Sequence, residues 1–375
     1  MPSQKKGKSA LVLAGGGITG AAYEIGALTA LNRLFSPGFS TSDFDVYVGT
    51  SAGSIIATLM ASCVKPVDIF QAIIKNQSSV FNWRREDIYL LDKRELWSNL
   101  GKIFRNALQI FRRYRLKQWD LSLREIIQIV QEQLPAGLYS LEPMQSYFCR
   151  AFREAGIKDD FGRIDARLFI IAYDLDTMER VIFGSTNHDQ IHICSAIAAS
   201  CAYPLFFRPF QLGDRHYIDG SVGRVDHIDV AIDHGAGLII VLNPRVPIDN
   251  ETEDTCLPSL SLNQCSNISD LGATFAWEQA QRIENKEKMA MALELIRLKH
   301  PDTDIIVFEP DKKEALHFFH GPMSHHAKTY IMMSAYHQTL VQILSNFEEY
   351  RRVFSRHDID ISKLNLKTDL IGGWT

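Results

Sequence analysis

Short apolar runs that stop at glycine or a polar turn, each followed by a longer helical spacing, recur through the first two thirds of the chain. SALVLA predicts a strand leading into the helix GAAYEIGALTALNRLF, and DVYVGT a second strand leading into SAGSIIATLMASCV. RLFIIAYDL and ERVIFGS, joined around Asp176 and Thr177, predict a hairpin, and RPFQLGDRHYID predicts another that turns at Gly213 and Asp214. CSAIAASCAYP reads as a helix of small residues closed by Pro204, and GLIIVLNP as a buried strand. Strands alternating with helices imply an α/β sheet covered on both faces.

The stretch from Arg245 to about Leu271 is polar and structure-poor, the pattern of a loop or linker. A long helical pattern, ATFAWEQAQRIENKEKMAMALELIRLKH, follows; DIIVFEP is then one more strand, and a last helix is expected near Tyr330 to Phe354. DIIVFEP would pair most naturally with the earlier sheet, so the expectation is one domain with a helical elaboration. Its parts are a core over 8–245, a polar linker over 246–270 and a mainly helical extension over 271–375.

Composition changes this picture little. At 375 residues the chain can bury a large core, and its net charge of −4 gives no global reason to expect nucleic acid as a partner. The opening lysines precede an apolar run of only Ala10 to Ala14, too short for a secretory signal, and nothing approaches the ~20 apolar residues of a membrane span. The cysteines, Cys63, Cys149, Cys194, Cys201, Cys256 and Cys265, show no paired spacing, which suits reduced thiols in a cytoplasmic protein.

Candidate chemistry begins at Gly15-x-Gly17-x-x-Gly20, between the first strand and its helix. The pattern serves a dinucleotide or any other anion, because glycines admit close approach and a helix start presents N–H groups. A dinucleotide site also needs an acid at the end of the next strand; Asp43 and Asp45 lie before that strand, which ends in Gly49, Thr50 and Ser51. Gly49-Thr50-Ser51-Ala52-Gly53 is a GxSxG element opening directly into a helix, the setting that lifts a serine hydroxyl above a sheet. Ser51 is therefore the candidate nucleophile, and N–H groups near Gly16, Gly17 and Ile18 are candidate oxyanion donors. Two bases are open: a histidine, His227 or His234, supported by Asp219, or Asp219 acting alone from the turn HYIDGSVG.

GGGITG, GTSAG and DGS in that order, with AYDLDTMERVIF and ASCAYPLFF, resemble the patatin-like phospholipases, over roughly Ala10 to Asn243. The resemblance implies a three-layer α/β/α sandwich with a mostly parallel central sheet and a lipid acyl hydrolase with a Ser-Asp dyad. It assigns Ser51 as nucleophile and Asp219, followed by Gly220 and Ser221, as base. Gly15, Gly16, Gly17, Ile18 and Gly20 become the oxyanion loop, and Gly49, Thr50, Ala52 and Gly53 the frame of the nucleophile. It implies a lipid substrate and neither metal nor cofactor. Thr19 stands where many members carry a basic residue, so the loop brings no charge to an anionic headgroup.

Two further stretches invite a function. Leu96, Leu100, Ile103, Phe104, Ala107, Leu108, Phe111 and Tyr114 fall at helical spacing within Glu95 to Trp119, amid Lys102, Arg105, Arg112, Arg113, Arg115 and Lys117. That suits a peripheral membrane contact and equally an ordinary surface helix. His317, His320, His325 and His326 lack the spacing of a helical metal pair and read as a solvated loop. The rival functions are a catalytically silent membrane adaptor of the same fold and a dinucleotide-binding oxidoreductase.

Overall fold

The computed structural model describes residues 7–77, 81–88, 90–91, 105, 136–224, 226–250, 257, 265–313 and 323–363. The apolar runs form the strands expected of them: β1 (Lys8–Leu13), β2 (Val46–Thr50), β5 (Arg167–Asp174), β6 (Arg180–Phe183), β8 (Phe210–Leu212), β9 (Arg215–Asp219), β10 (Ala236–Leu242) and β11 (Asp304–Phe308). They make one sheet in the order β11-β10-β1-β2-β5-β9-β8, with β6 beside β5. The pairs from β11 to β5 are parallel, whereas β9 and β6 run antiparallel to β5, and β8 to β9. Both sequence hairpins are thereby present. A small second sheet joins β3 (Leu90–Leu91), β4 (Gly137–Ser140) and β7 (Leu205–Phe207).

The two-residue period of the strands divides the core. Leu11, Leu13, Tyr47, Ile170, Leu238 and Ile240 face one layer; Ala10, Val12, Val46, Val48, Ile171, Ile239 and Val241 face the other. The first layer holds α1 (Gly17–Asn32), α2 (Ala52–Ala61), α3 (Pro66–Ile74), the short α4 (Arg85–Ile88), α6 (Ile193–Ser200) and α9 (Lys328–Ser345). In the second are α7 (Ile228–Asp233) and part of α8 (Ala273–Lys299). A Cβ on Gly26 of α1 would fall 2.1 Å from Met332 O of α9, so only glycine lets these helices meet so closely. With β11 in the sheet and α9 against α1, these two elements are built into the same body as the N-terminal part.

Three expectations need correction. The last helix is two, α9 and α10 (Phe347–Arg356), because Asn346 leaves helical geometry at φ −111° and ψ 16°. The described residues 246–250 and 257 carry neither helix nor strand, as a loop should, but the correction is to its polarity: Ile248 and Leu257 bury against Ile268, Leu271 and Phe275. Nor are all the cysteines reduced. Cys149, on α5 (Glu142–Glu154), is disulfide-bonded to Cys194 on α6; Cys265 is also disulfide-bonded, while Cys63 and Cys201 are free. The compartment argument drawn from their spacing falls with that, because a pairing across 45 residues leaves no local mark. Among the described residues no helix is long and apolar enough to cross a membrane.

Candidate active site

Sheet register brings the distant motifs together. Thr50, the last residue of β2, pairs with Ile171 of β5, and the next residue of β5, Ala172, pairs with Asp219 at the end of β9. Leu13 of β1 pairs with Gly49, so the glycine turn leaves the sheet beside the serine. Ser51 follows Thr50 at φ 54° and ψ −133°, a strained backbone for a non-glycine residue. The surroundings over-determine that geometry. Ser51 N–H donates to Ser200 Oγ at 2.8 Å, Ser200 Oγ–H to Ile171 O at 2.6 Å, and Ser54 donates to Ser51 O from both N (2.9 Å) and Oγ (2.5 Å). A Cβ on Gly53 would lie 2.4 Å from Leu13 O and 2.8 Å from Gly15 N, so the elbow and the glycine turn touch backbone to backbone.

Asp219 is fully buried, and Ser51 is 9% exposed. Burial raises the carboxyl above its ordinary pKa; the Ser51 hydroxyl, the Ser221 N–H and, more weakly, the Arg245 charge pull it back. Asp219 Oδ1 accepts from Ser221 N at 2.8 Å, and Oδ2 has no hydrogen bond of good geometry. The Ser51 hydroxyl is thus near enough to lower the carboxyl's proton affinity while a hydrogen bond of good geometry to Oδ2 stays unmade.

The histidines stand elsewhere. His227 Nε2–H donates to Gly220 O at 3.0 Å and Nδ1 accepts from Arg180 at 3.3 Å, while burial lowers its pKa to about 4. Both ring nitrogens are committed, and the ring braces the turn behind Asp219. His234 Nδ1–H donates to Val230 O at 2.8 Å, and its ring lies 4.1 Å from that of Phe169. His234→Ala is accordingly expected to cost far less than an order of magnitude in kcat; a collapse of kcat, measured on active-site-titrated protein, would restore a histidine as base.

The glycine turn leaves fewer free N–H groups than the sequence motif suggests. Gly15, Gly16 and Gly17 all have positive φ, and Gly17 begins α1. Gly15 N–H is taken by Glu24 Oε1 at 2.8 Å and Gly20 N–H by Gly16 O at 3.1 Å, which removes both from the donors read off GGGITG. The N–H groups of Gly17 and Ile18, in the first turn of the helix, have no intrahelical acceptor, and both residues line the cavity that contains Ser51. Glu24 is the only charged residue of α1, and that isolation in an apolar helix is the signal by which sequence could have found it. Ser200, in the helix of small residues, carried no such mark.

Burial raises Glu24 to about 8, the Asp226 charge adding to it, and raises Asp226 to about 7, where Arg245 opposes and Glu309 adds. A carboxyl whose pKa is higher folded than unfolded contributes stability below its unfolded pKa and loses it as pH rises through the folded value. Thermal midpoints are therefore expected to fall by several degrees between pH 6 and 9. Glu24→Gln, which keeps an acceptor for Gly15 but cannot ionise, should flatten that fall; an unchanged slope would show that Glu24 is not its source.

A cavity of about 650 Å³ opens from Ser51 and the glycine turn, walled by Ile18, Ile55, Trp83, Ile88, Met144, Phe207 and Met323 among others. Its lining is overwhelmingly apolar. Of the predicted dinucleotide features, Asp45 accepts from Ser9 N (2.8 Å) and Oγ (3.0 Å) at the start of β1, the sheet edge opposite the glycine turn. His325 Nε2–H donates to Trp83 O at 3.0 Å; His317, His320 and, apart from Arg105, the cationic segment Glu95 to Trp119 lie outside the described residues.

A serine in a strand-to-helix elbow, a buried carboxylate beside it and helix-start amides over an apolar cavity are the parts that nucleophilic acyl transfer needs. The chain belongs to the patatin-like phospholipase family, whose model matches residues 11–232. A probable lipid hydrolase, 463L, of Invertebrate iridescent virus 6 is 24% identical over 222 residues, which are 59% of this chain and 62% of that protein, so the chain spans less than two thirds of this relative. Among solved structures, VipD from Legionella pneumophila is 13% identical, covered at 92% of this chain and 68% of its own, with a TM-score of 0.36. The ExoU–SpcU complex of Pseudomonas aeruginosa is 16% identical, with coverages of 92% and 53% and a TM-score of 0.35.

Proposed function

We propose that the protein is a serine-dependent lipid acyl hydrolase, cleaving the acyl ester of a phospholipid or related lipid by phospholipase A or lysophospholipase chemistry. The observation that carries this reading is the strained Ser51 elbow placed by sheet register beside the buried Asp219, at the mouth of the apolar cavity.

Asp219 takes the Ser51 proton as Oγ attacks the ester carbonyl, and the Gly17 and Ile18 N–H groups meet the negative oxygen that forms. Collapse of the tetrahedral adduct breaks the bond to the leaving oxygen, which receives the proton from Asp219. Water, deprotonated by the same carboxylate, then attacks the acyl-enzyme; the bond from the acyl carbon to Ser51 Oγ breaks, Asp219 returns the proton to Oγ, and the fatty acid leaves. A raised carboxyl pKa suits the task, since an ordinary carboxylate binds a proton too weakly to serve as an effective base.

The test is to incubate the intact protein with a panel of phospholipids, lysophospholipids and neutral glycerides and to follow released fatty acids by mass spectrometry, with peptide mapping of a fluorophosphonate adduct. Fatty-acid release together with the adduct on Ser51 is the expected result. Neither release nor adduct, with binding to vesicles retained, would leave the silent adaptor in its place.

A further inference from the structure

The glycine turn lacks a basic side chain of its own, because position 19 is a buried threonine whose hydroxyl turns back to Gly16 O at 3.4 Å. A cation reaches the same place from another element. Arg245, just beyond β10, lays its stem across the turn: a Cβ on Gly16 would lie 3.3 Å from Arg245 Cγ. Its backbone is fixed on both sides, N–H donating to Asn243 Oδ1 at 3.1 Å and the carbonyl accepting from Asn285 Nδ2 at 3.4 Å. Among the described residues its guanidinium makes neither hydrogen bond nor ion pair, yet its charge is felt at Asp219, Tyr203 and Asp226. The stem is held and the fork is uncommitted.

Beside the main cavity, and sharing Tyr203, Leu205, Ser221, Arg245 and Trp277 with it, lies an alcove of about 200 Å³ whose far wall is Gln281, Glu284 and Lys288 of α8. It is under a third the size of the main cavity and far more polar, so it takes a small polar group and not a second acyl chain. Lys288 Nζ is already paired with Glu284 Oε1 at 2.6 Å, so the cation of the alcove with no direct ion-pair partner among the described residues is Arg245, which acts on Glu284 only at longer range. A guanidinium presents paired donors that match two oxygens of a phosphate. A neutral glyceride in the same place would leave that charge half-buried without a partner.

We propose that the alcove is a headgroup subsite in which Arg245 takes the phosphate of a glycerophospholipid, supplying from the end of β10 the cation that the glycine turn lacks. The acyl chain fills the larger cavity, the ester lies over Ser51 and the phosphodiester lies beyond Ser221. This inference rests on the hydrolase reading for its chemistry, and its test separates the two.

The test compares lysophosphatidylcholine with the monoacylglycerol of the same chain, which differ only in the phosphocholine. Arg245→Gln is expected to lower the ratio of kcat/KM for the phospholipid over that for the glyceride by roughly 10- to 100-fold, mainly through KM, as befits loss of a charge-assisted bond. Arg245→Lys should recover part of that ratio. Calorimetry with an ether analogue that cannot be cleaved reads the same dependence without turnover. Arg245-dependent binding with no turnover would remove the hydrolase reading and leave the subsite standing. Equal losses on both substrates, with a shifted acid limb, would assign Arg245 to tuning Asp219 and overturn the proposal; so would unchanged selectivity and unchanged binding.

Discussion

Replacing Ser51 with alanine is expected to lower fatty-acid release by about four to six orders of magnitude, the scale seen when a serine nucleophile is removed. Nothing else in the site can inherit its role. Cys201, a free thiol that lines the same cavity, is only 5% exposed beside Ser51 and Ser54, and burial and the Asp219 charge push its pKa up, so its reactive thiolate is suppressed. The elbow itself should survive, because the bonds that hold it run through main-chain atoms of residue 51: N–H to Ser200 and carbonyl from Ser54. Alanine has to occupy the same strained φ of 54°, as serine already does. The thermal midpoint should therefore stay close to that of the wild type while the fluorophosphonate adduct disappears. Residual turnover within a hundredfold of wild type, from homogeneous protein, would move the nucleophile elsewhere.

The parts of this fold written in the sequence are those that local pattern dictates. The parallel strands are continuous apolar runs because both their faces are covered, and the GxSxG element could be placed because strand, turn and helix follow one another without a break from Val46 to Ala61. The hairpin ending in Asp219 was readable for the same reason. What local pattern could not give is pairing at a distance. Ser200 supports the elbow from 149 residues away, Arg245 reaches the glycine turn from the far side of β10, and Cys149 finds Cys194 across two helices. Each depends on packing of whole elements, where residue type alone carries little information. The glycine motif was read too generously for a related reason: five residues fit the pattern, but Glu24 and Gly16 consume two of the amides.

The competition for those amides also explains why this turn differs from a cofactor loop. Glu24 brings a buried carboxyl up to Gly15 from within the helix, on the side away from the cavity, and so fixes the path of the turn instead of a ligand. What remains at the cavity is the short run of N–H groups from Gly16 to Ile18, grouped closely enough to meet a single oxygen.

Asp219→Asn should lose activity and gain stability together, and the combination is more diagnostic than either alone. Asparagine can still accept the Ser221 N–H through its carbonyl, so the turn is kept, but it presents an amide toward Ser51 and cannot take a proton. Turnover is expected to fall by about 10³- to 10⁴-fold, the upper range for a general base. In the wild type, desolvation raises the carboxyl pKa, so its ionised form is costly in the folded state at neutral pH. That cost is absent below the unfolded pKa, near 4, and grows as pH rises through the folded value. The variant should then melt higher than wild type at pH 8, with the difference vanishing toward pH 4. The wild-type rate should fall on the acid side at a pH above the usual carboxylate range, because the base must be ionised to act. An Asp219→Asn protein that melts lower than wild type at pH 8, or that turns over within tenfold of it, would show that this carboxylate is a structural residue and that the base has to be sought elsewhere.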